Sequence, residues 1–266
     1  MLEKRKRISM SKTIDITASI VIYNEDKRIL KNTILCFLNN AMFSVKLYLV
    51  DNTENSEYQD FADIPKLEYV PINQNIGFGR GHNQVIESIK NESKYHLILN
   101  PDVGFEPNIF KNLIEALNSD DEVSMIAPKV LFPDRTFQNS CRRFPKVSEL
   151  IARRNIFLRP LFSRTIKKGK YEDKDLSKSF YAEYVTGCFQ LYKTDDFVQL
   201  GGFDERYFLY MEDVDICRKI DKSGKKTLYY PQEQIIHVLK KGSNKSVRLF
   251  FIHFKSAMKY FNKWGY

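Results

Sequence analysis

Cysteine is scarce in this chain: Cys36, Cys141, Cys188 and Cys217 are scattered over 266 residues, and no two form a C-x-x-C pair. That spacing excludes a disulfide-stapled scaffold and a cysteine zinc cage, and points to reduced thiols. Long apolar runs are also missing, since nothing approaches the ~18 uninterrupted apolar residues of a membrane-spanning helix. The basic start MLEKRKRISMSK leads into Ile16 to Tyr23, too short and strand-like for the apolar core of a secretory leader. A cytoplasmic chain is therefore expected. There is no internal repeat, no low-complexity linker, and no RNP, zinc or helix-turn-helix signature of a nucleic-acid binder. The remainder is ordinary globular composition, 43% hydrophobic and 28% charged, enough for the core of one large α/β domain.

The net charge of +9 is unevenly spread. Residues 1–12, 135–170 and 240–264 together carry +21, leaving −12 on the remainder. Three basic segments on an acidic body suit contact with anionic lipid or another polyanion, or a merely solvated basic face.

The first half alternates strand and helix. Strands are expected at Ile16 to Tyr23, Val45 to Asn52, Leu67 to Ile72 and Tyr95 to Val103, with helices after Lys27, after the glycine-rich INQNIGFGRGHN loop, and after Pro107. This order is that of an α/β fold with a Rossmann-like, mostly parallel open sheet flanked by helices. Polar residues gather at the strands' carboxyl ends, where such sheets bind ligands: Tyr23, Asn24 and Glu25; Asp51 and Asn52; Asn100 and Asp102. Residues 134–178 lack periodicity and read as a basic insertion or mobile loop. Tyr181 to Tyr192 reads as a strand, Thr194 to Leu200 and Glu212 to Ser223 as helices, and Leu228 to Tyr230 and Gln234 to Leu239 as short strands. Val247 to Trp264 reads as a C-terminal amphipathic helix. The expected division is a basic tail (1–12), a main α/β domain (13–245) and that helix (246–266).

Three constellations carry chemistry. Gly77, Gly79, Arg80, Gly81 and Asn83 resemble a phosphate cradle, or a plain tight turn. Asn100-Pro101-Asp102 ends a strand with a carboxylate that can hold a divalent cation, with His237 able to complete an O/N site, or it is simply a turn. Glu212, Asp213 and Asp215 open a helix behind Tyr207, Phe208 and Tyr210. Capping explains acids there, and so does a general base in a desolvated pocket.

Taken in order, IVIYNE, LVDN, INQNIGFGRGHN, LILNPDV, VTGCFQLYK, GGFDERYFLYMEDVDICRK and His237 resemble the inverting family 2 glycosyltransferases of GT-A fold, over residues 16 to 245. The N-P-D form and the R-R-F-P stretch are similar to the rhamnosyltransferase branch, which adds L-rhamnose from dTDP-rhamnose to a lipid-diphosphate-linked N-acetylglucosamine in O-antigen, capsule or cell-wall polysaccharide synthesis. The resemblance implies that Tyr23, Asn24, Glu25, Asp51, Asn52, Gly77, Gly79, Arg80, Asn83, Asn100 and Asp102 bind the nucleotide sugar. It implies Mg²⁺ or Mn²⁺ on Asp102 and His237, Asp213 as the base, and Glu212 shaping the acceptor site. Thr186, Gly187, Tyr210, Arg142 and Arg143 would face a polyprenyl-diphosphate-linked acceptor. The usual D-x-D has become Asn100-Pro101-Asp102, with one carboxylate fewer for the metal.

Val247, Phe250, Phe251, Phe254, Met258 and Phe261 share one face of the last helix, which either packs on the domain or lies in a bilayer interface. With the apolar Ile156, Phe157 and Leu158 in the basic insertion, this predicts peripheral attachment to the cytoplasmic face of the inner membrane. A nucleotide-sugar donor and a lipid-linked glycan acceptor, not nucleic acid, are the expected partners. The alternatives are a transferase using a UDP-sugar (GlcNAc, Gal or Glc), a non-catalytic sugar-nucleotide binder, and a nucleic-acid-binding protein.

Overall fold

A computed structural model describes residues 12–154, 160–238 and 247–265. The basic tail up to residue 11, the apolar triplet Ile156, Phe157 and Leu158, and the Lys240-Lys241 stretch lie outside the described residues. The first half comprises β1 (Ile14–Ile22), α1 (Lys27–Leu38), β2 (Val45–Asp51), a 3-10 turn (Gln59–Asp63), β3 (Leu67–Pro71), α2 (Phe78–Asn83), α3 (Ile86–Glu92), β4 (Ser93–Leu99), β5 (Val103–Gly104), α4 (Ile109–Asn118) and β6 (Val123–Leu131). Then come β7 (Cys141–Arg142), α5 (Val147–Arg154), α6 (Ser163–Gly169), β8 (Phe180–Ala182), β9 (Tyr184–Val185), β10 (Phe189–Lys193), α7 (Thr194–Gln199), α8 (Glu212–Lys222), β11 (Lys226–His237) and α9 (Val247–Trp264).

The main sheet has the order β3-β2-β1-β4-β10-β6-β11-β5, with β8 pairing β11, and β7-β9 form a separate ribbon. It is mostly parallel, as expected, with β10 running antiparallel to both β4 and β6. Strands β1, β2, β4, β6 and β11 still point the same way, so their carboxyl ends share one rim. Both faces of the sheet are covered, which is why its strands are nearly continuous apolar runs. Alternation decides the face: Leu47 and Leu49 join the core under α1 and α4, while Tyr48 and Val50 join the core under α3, α7 and α8.

Strand β6 escaped the sequence reading, and β11 was split in two. Pro128 lies in β6 and Pro231 in β11, and the β11 register shifts between Tyr230 and Gln234 opposite them. Neither proline can donate to the ladder, so the strands bulge there and continue. The expected strand Tyr181 to Tyr192 is instead three short pieces serving different neighbours. The insertion is ordered at α5 and α6.

Helix α9 has the predicted bounds but divides its faces unexpectedly. Ser256, Ala257, Tyr260 and Phe261 are buried, whereas Val247, Phe250, Phe251, Phe254 and Met258 stay exposed. Phe261 thus leaves the stripe drawn from sequence and packs inward. The docked end is held by Asp215, which is fully buried. Its carboxylate accepts from Lys263 Nζ at 2.8 and 2.9 Å, from Trp264 Nε1 at 2.7 Å and from the Tyr207 hydroxyl at 3.1 Å. Removing one partner of a buried pair leaves a desolvated charge, which typically costs about 3–5 kcal/mol. Lys263→Met should lower the unfolding free energy by that order in urea titrations. A loss below about 1 kcal/mol would mean that apolar packing alone holds α9.

Candidate active site

Two adjoining cavities lie on the rim where the strands end. One, of about 380 Å³, is lined by Tyr23, Glu25, Asn52, Gly77, Asn100 and Asp102, with Asn75, Phe78, Phe208 and Leu209. The other, of about 460 Å³, is lined by Arg142, Arg143, Thr186, Glu212 and Asp213, with Gln138, Asn139 and His253. Tyr210 and His237 belong to both walls.

In the first cavity Asp102 and His237 converge from the ends of β4 and β11. His237 Nδ1 is 2.8 Å from Gln138 Oε1. A carbonyl oxygen only accepts, so Nδ1 carries a proton and Nε2 points at Asp102 Oδ1, 3.2 Å away. Two acceptors so close need a proton or a cation between them. Burial pulls the His237 pKa down, but neighbouring Cys188 and Asp102 outweigh it and hold it up at about 10, and Asn100 Nδ2 lies 3.3 Å from the same Nε2. The same donor pair fits one divalent cation, with the remaining ligands left to a diphosphate and water. No group of three or more His, Cys, Asp or Glu side chains gathers for a metal among the described residues.

Several expected nucleotide contacts are corrected by the packing. An added Cβ at Gly79 would come 2.8 Å from Phe203 Cβ, and one at Gly81 2.8 Å from the Val21 methyls. These glycines let α2, itself helical rather than a loop, lie against β1 and Phe203, which accounts for them by packing. Arg80 points to Glu205 at 3.4 Å and lines neither cavity. The Asn83 amide donates to Phe203 O and accepts from Phe203 N, locking α2 to the turn at 201–205. Asp51 is buried and engaged by Thr53 N, the Tyr69 hydroxyl and Ser56 Oγ, so it stabilises its own loop. Asn24 is a left-handed turn residue (φ +56°) whose N–H donates to Thr53 Oγ1. Gly77 does shape the cavity: its φ is +94° and a Cβ would sit 2.2 Å from Phe208 O. Asn52 donates to Gly77 O at 3.1 Å, and its Oδ1 is buried without a partner.

The second cavity brings Thr186, Tyr210, Arg142 and Arg143 together in its wall; Gly187 is not in that wall and takes part through its N–H. Tyr210 and Met211 both adopt left-handed backbone, φ +68° and +72°, a conformation that is costly for such residues and collects at functional sites. This turn delivers Glu212 and Asp213 at the start of α8. Asp213 accepts from Gly187 N at 3.3 Å and Val214 N at 2.8 Å. Burial raises the pKa of both acids, and for Glu212 the adjacent Asp213 charge raises it further. Arg142 opposes that rise at Asp213. Arg143 lines the cavity with its guanidinium already engaged, because Asp173 takes it through two bonds of 2.7 and 2.8 Å. Sequence reasoning missed Gln138, Asn139 and His253. None of the three stands in a sequence motif, and β6, the strand that places Gln138, was itself not expected.

No protein-family profile matches the chain. It is 26% identical over 205 residues to N-acetylglucosaminyl-diphospho-decaprenol L-rhamnosyltransferase of Mycobacterium tuberculosis, in strains CDC 1551 and H37Rv. That match covers 73% of this chain and 66% of the relative, just under two thirds of its length. It is also 28% identical over 194 residues to rhamnosyltransferase WbbL of Escherichia coli K12, covering 69% of each chain. Among solved structures it is similar to GalNAc-T7 with UDP, GalNAc and Mn²⁺, with a TM-score of 0.64 and 14% identity, covering 84% of this chain and 43% of that one. The chain is rhamnosyltransferase-like in sequence and has the GT-A fold, as its motifs implied.

The raised Glu212 pKa has a consequence for stability. The folded state keeps a proton that the unfolded chain releases near its ordinary value of 4.5, so wild-type stability falls as pH rises above that value. Glu212→Gln should match wild type at pH 4 and become progressively more stable than it towards pH 8 in urea midpoints. Parallel curves would show that Glu212 is ionised without penalty.

Proposed function

We propose that the chain is an inverting hexosyltransferase that moves L-rhamnose from dTDP-rhamnose to a lipid-diphosphate-linked N-acetylglucosamine. The observation that carries this reading is the pair of cavities sharing Tyr210 and His237, with a cation-competent pair on one side and two acids on the other. A donor diphosphate would lie against Asp102 and His237, placing its sugar carbon at the shared wall. Mg²⁺ or Mn²⁺ there would neutralise charge on the departing diphosphate. Asp213, fixed by Gly187 N and Val214 N, would take the proton of the acceptor hydroxyl as it attacks from the second cavity. A nucleoside diphosphate leaves without needing a second carboxylic acid, unlike the sugar oxygen in a glycosidase. The donor and acceptor names rest on the rhamnosyltransferase relatives.

The lipid half of the reading is supported by α9. His253 lines the second cavity and packs on Tyr210 at 5.1 Å, while Phe250, Phe251 and Phe254 of the same helix are exposed. Arg248, Lys255 and Lys259 flank them. An acceptor chain leaving that cavity would meet this apolar stripe, and a cytoplasmic enzyme resting on the inner membrane face accounts for it. No helix among the described residues is long and apolar enough to cross a membrane.

Purified protein with Mg²⁺ and a short-chain lipid-diphosphate N-acetylglucosamine should gain a deoxyhexose mass with dTDP-rhamnose and none with UDP-sugars. Transfer from a UDP-sugar instead would overturn the donor assignment. Asp213→Asn should lower turnover by about 10²-fold or more with nucleotide binding nearly unchanged; unaltered turnover would remove it as the base. Phe251→Ser with Phe254→Ser should reduce co-sedimentation with anionic vesicles by about tenfold. Equal sedimentation would detach α9 from membrane contact.

A further inference from the structure

Ten buried side-chain polar atoms lack a hydrogen-bond partner among the described residues, and four of them line the second cavity: Gln138 Nε2, Asn139 Oδ1, Arg142 Nη1 and Glu212 Oε2. Buried polar groups are otherwise paired almost without exception, so such a concentration marks the place of a polar ligand. Asn139 spends its Nδ2 on Lys170 O, outside the site, whereas the remaining atom of Gln138, Oε1, accepts from His237 Nδ1, a residue of both cavities.

The side chain is delivered there by its backbone. After β6 the chain turns at 132–136, where Phe132 N donates to Thr136 O and Gln138 N donates back to Val130 O, both at 2.9 Å. Gln138 therefore lies beside the carboxyl end of β6, next to the strand whose last residue is His237. One planar amide thus reaches from the second cavity to His237, which lines both.

We propose that Gln138 is a positioning residue that joins the two half-sites: its carbonyl fixes the His237 tautomer that turns Nε2 towards Asp102, and its amide N–H₂ donates to the acceptor in the second cavity. The ligand it reads is a hydroxyl or phosphate oxygen of the glycan acceptor. A metal-binding histidine held through its second nitrogen is better oriented and more basic. The same amide is rigid, so acceptor binding favours the orientation in which the donor's cation site is formed. This rests on the assignment of the two cavities to donor and acceptor given above.

The two ends of the amide separate by substitution. Gln138→Glu keeps an oxygen for His237 Nδ1 and removes the donor; Gln138→Met removes both. Mn²⁺ affinity is read by titration in the presence of dTDP, without turnover, and acceptor KM by the mass assay. Gln138→Glu should keep Mn²⁺ affinity at or above wild type while acceptor KM rises about 5–10-fold, the equivalent of one lost hydrogen bond. Gln138→Met should raise acceptor KM similarly and weaken Mn²⁺ about 10-fold or more. Unchanged acceptor KM in Gln138→Glu, or equal Mn²⁺ affinity in Gln138→Met and wild type, would overturn the proposal. If wild type transfers nothing to any lipid-diphosphate sugar yet binds Mn²⁺ with dTDP, the acceptor assignment fails instead. In that case a wild-type-like Mn²⁺ titration for Gln138→Met would still sink the link to His237.

Discussion

Helix α8 enters the fold with three carboxylates in its first turn, and among the described residues only Asp215 meets a cation at ion-pair distance. Much of the active end depends on that difference. Asp215 can be wholly buried because Lys263, Trp264 and Tyr207 satisfy it, and in doing so it fixes α9 against α8. Glu212, buried, and Asp213, half-buried, lie within one turn of it and have no such ion-pair partner among the described residues, so their protons are held more tightly than in water. One helix end thus supplies both a neutralised structural charge and a pair of acids whose ionisation is costly. The N-terminal dipole of α8 favours their anions and keeps that cost from becoming prohibitive.

The glycine-rich segment works in the same economy of packing. Its glycines bring α2 against β1 and Phe203, and the fully buried His82 at its end bonds Ser19, which also bonds His96. Burial lowers both imidazole pKa values, so this chain of hydroxyls and rings is neutral. It ties α2 to the sheet, and α2 in turn carries Phe78 to the donor cavity and to within 3.3 Å of a Cβ built at Gly187. A sequence that looks like an anion cradle is here the joint between the sheet and the wall of the site.

This explains why the sequence was informative about some residues and misleading about others. Strand ends are legible, because polar residues interrupt apolar runs there and parallel strands must end on one rim; Asn52, Asn100, Asp102 and His237 were found this way. Motif membership does not reveal the direction of a side chain. Arg80, Asn83 and Asp51 stand in the expected motifs but turn to Glu205, Phe203 and Tyr69. Gln138 was invisible for the opposite reason. It belongs to no pattern, and only the hairpin after β6 brings it to a histidine 99 positions away. Helix α9 was correct in extent and only partly correct in orientation, because its apolar residues exceed one face and tertiary packing chose which to bury.

The exposed half of α9 and the polar second cavity make sense as one surface. An amphipathic helix could hide Phe250, Phe251 and Phe254 by rolling about its axis, but Lys263 and Trp264 bond the buried Asp215 carboxylate, and Ser256 bonds Leu209 O at 2.9 Å. Those bonds fix the rotation, and the apolar face stays outward. The same rotation turns His253 inward onto Tyr210, the residue common to both cavities. An acceptor with a sugar at one end and a lipid at the other meets that gradient in order: acids and unpaired amides inside, a histidine at the edge, phenylalanines beyond. Water-soluble acceptors would use the first part and leave about three aromatic side chains exposed without purpose, a cost that a lipid-bearing acceptor converts into binding.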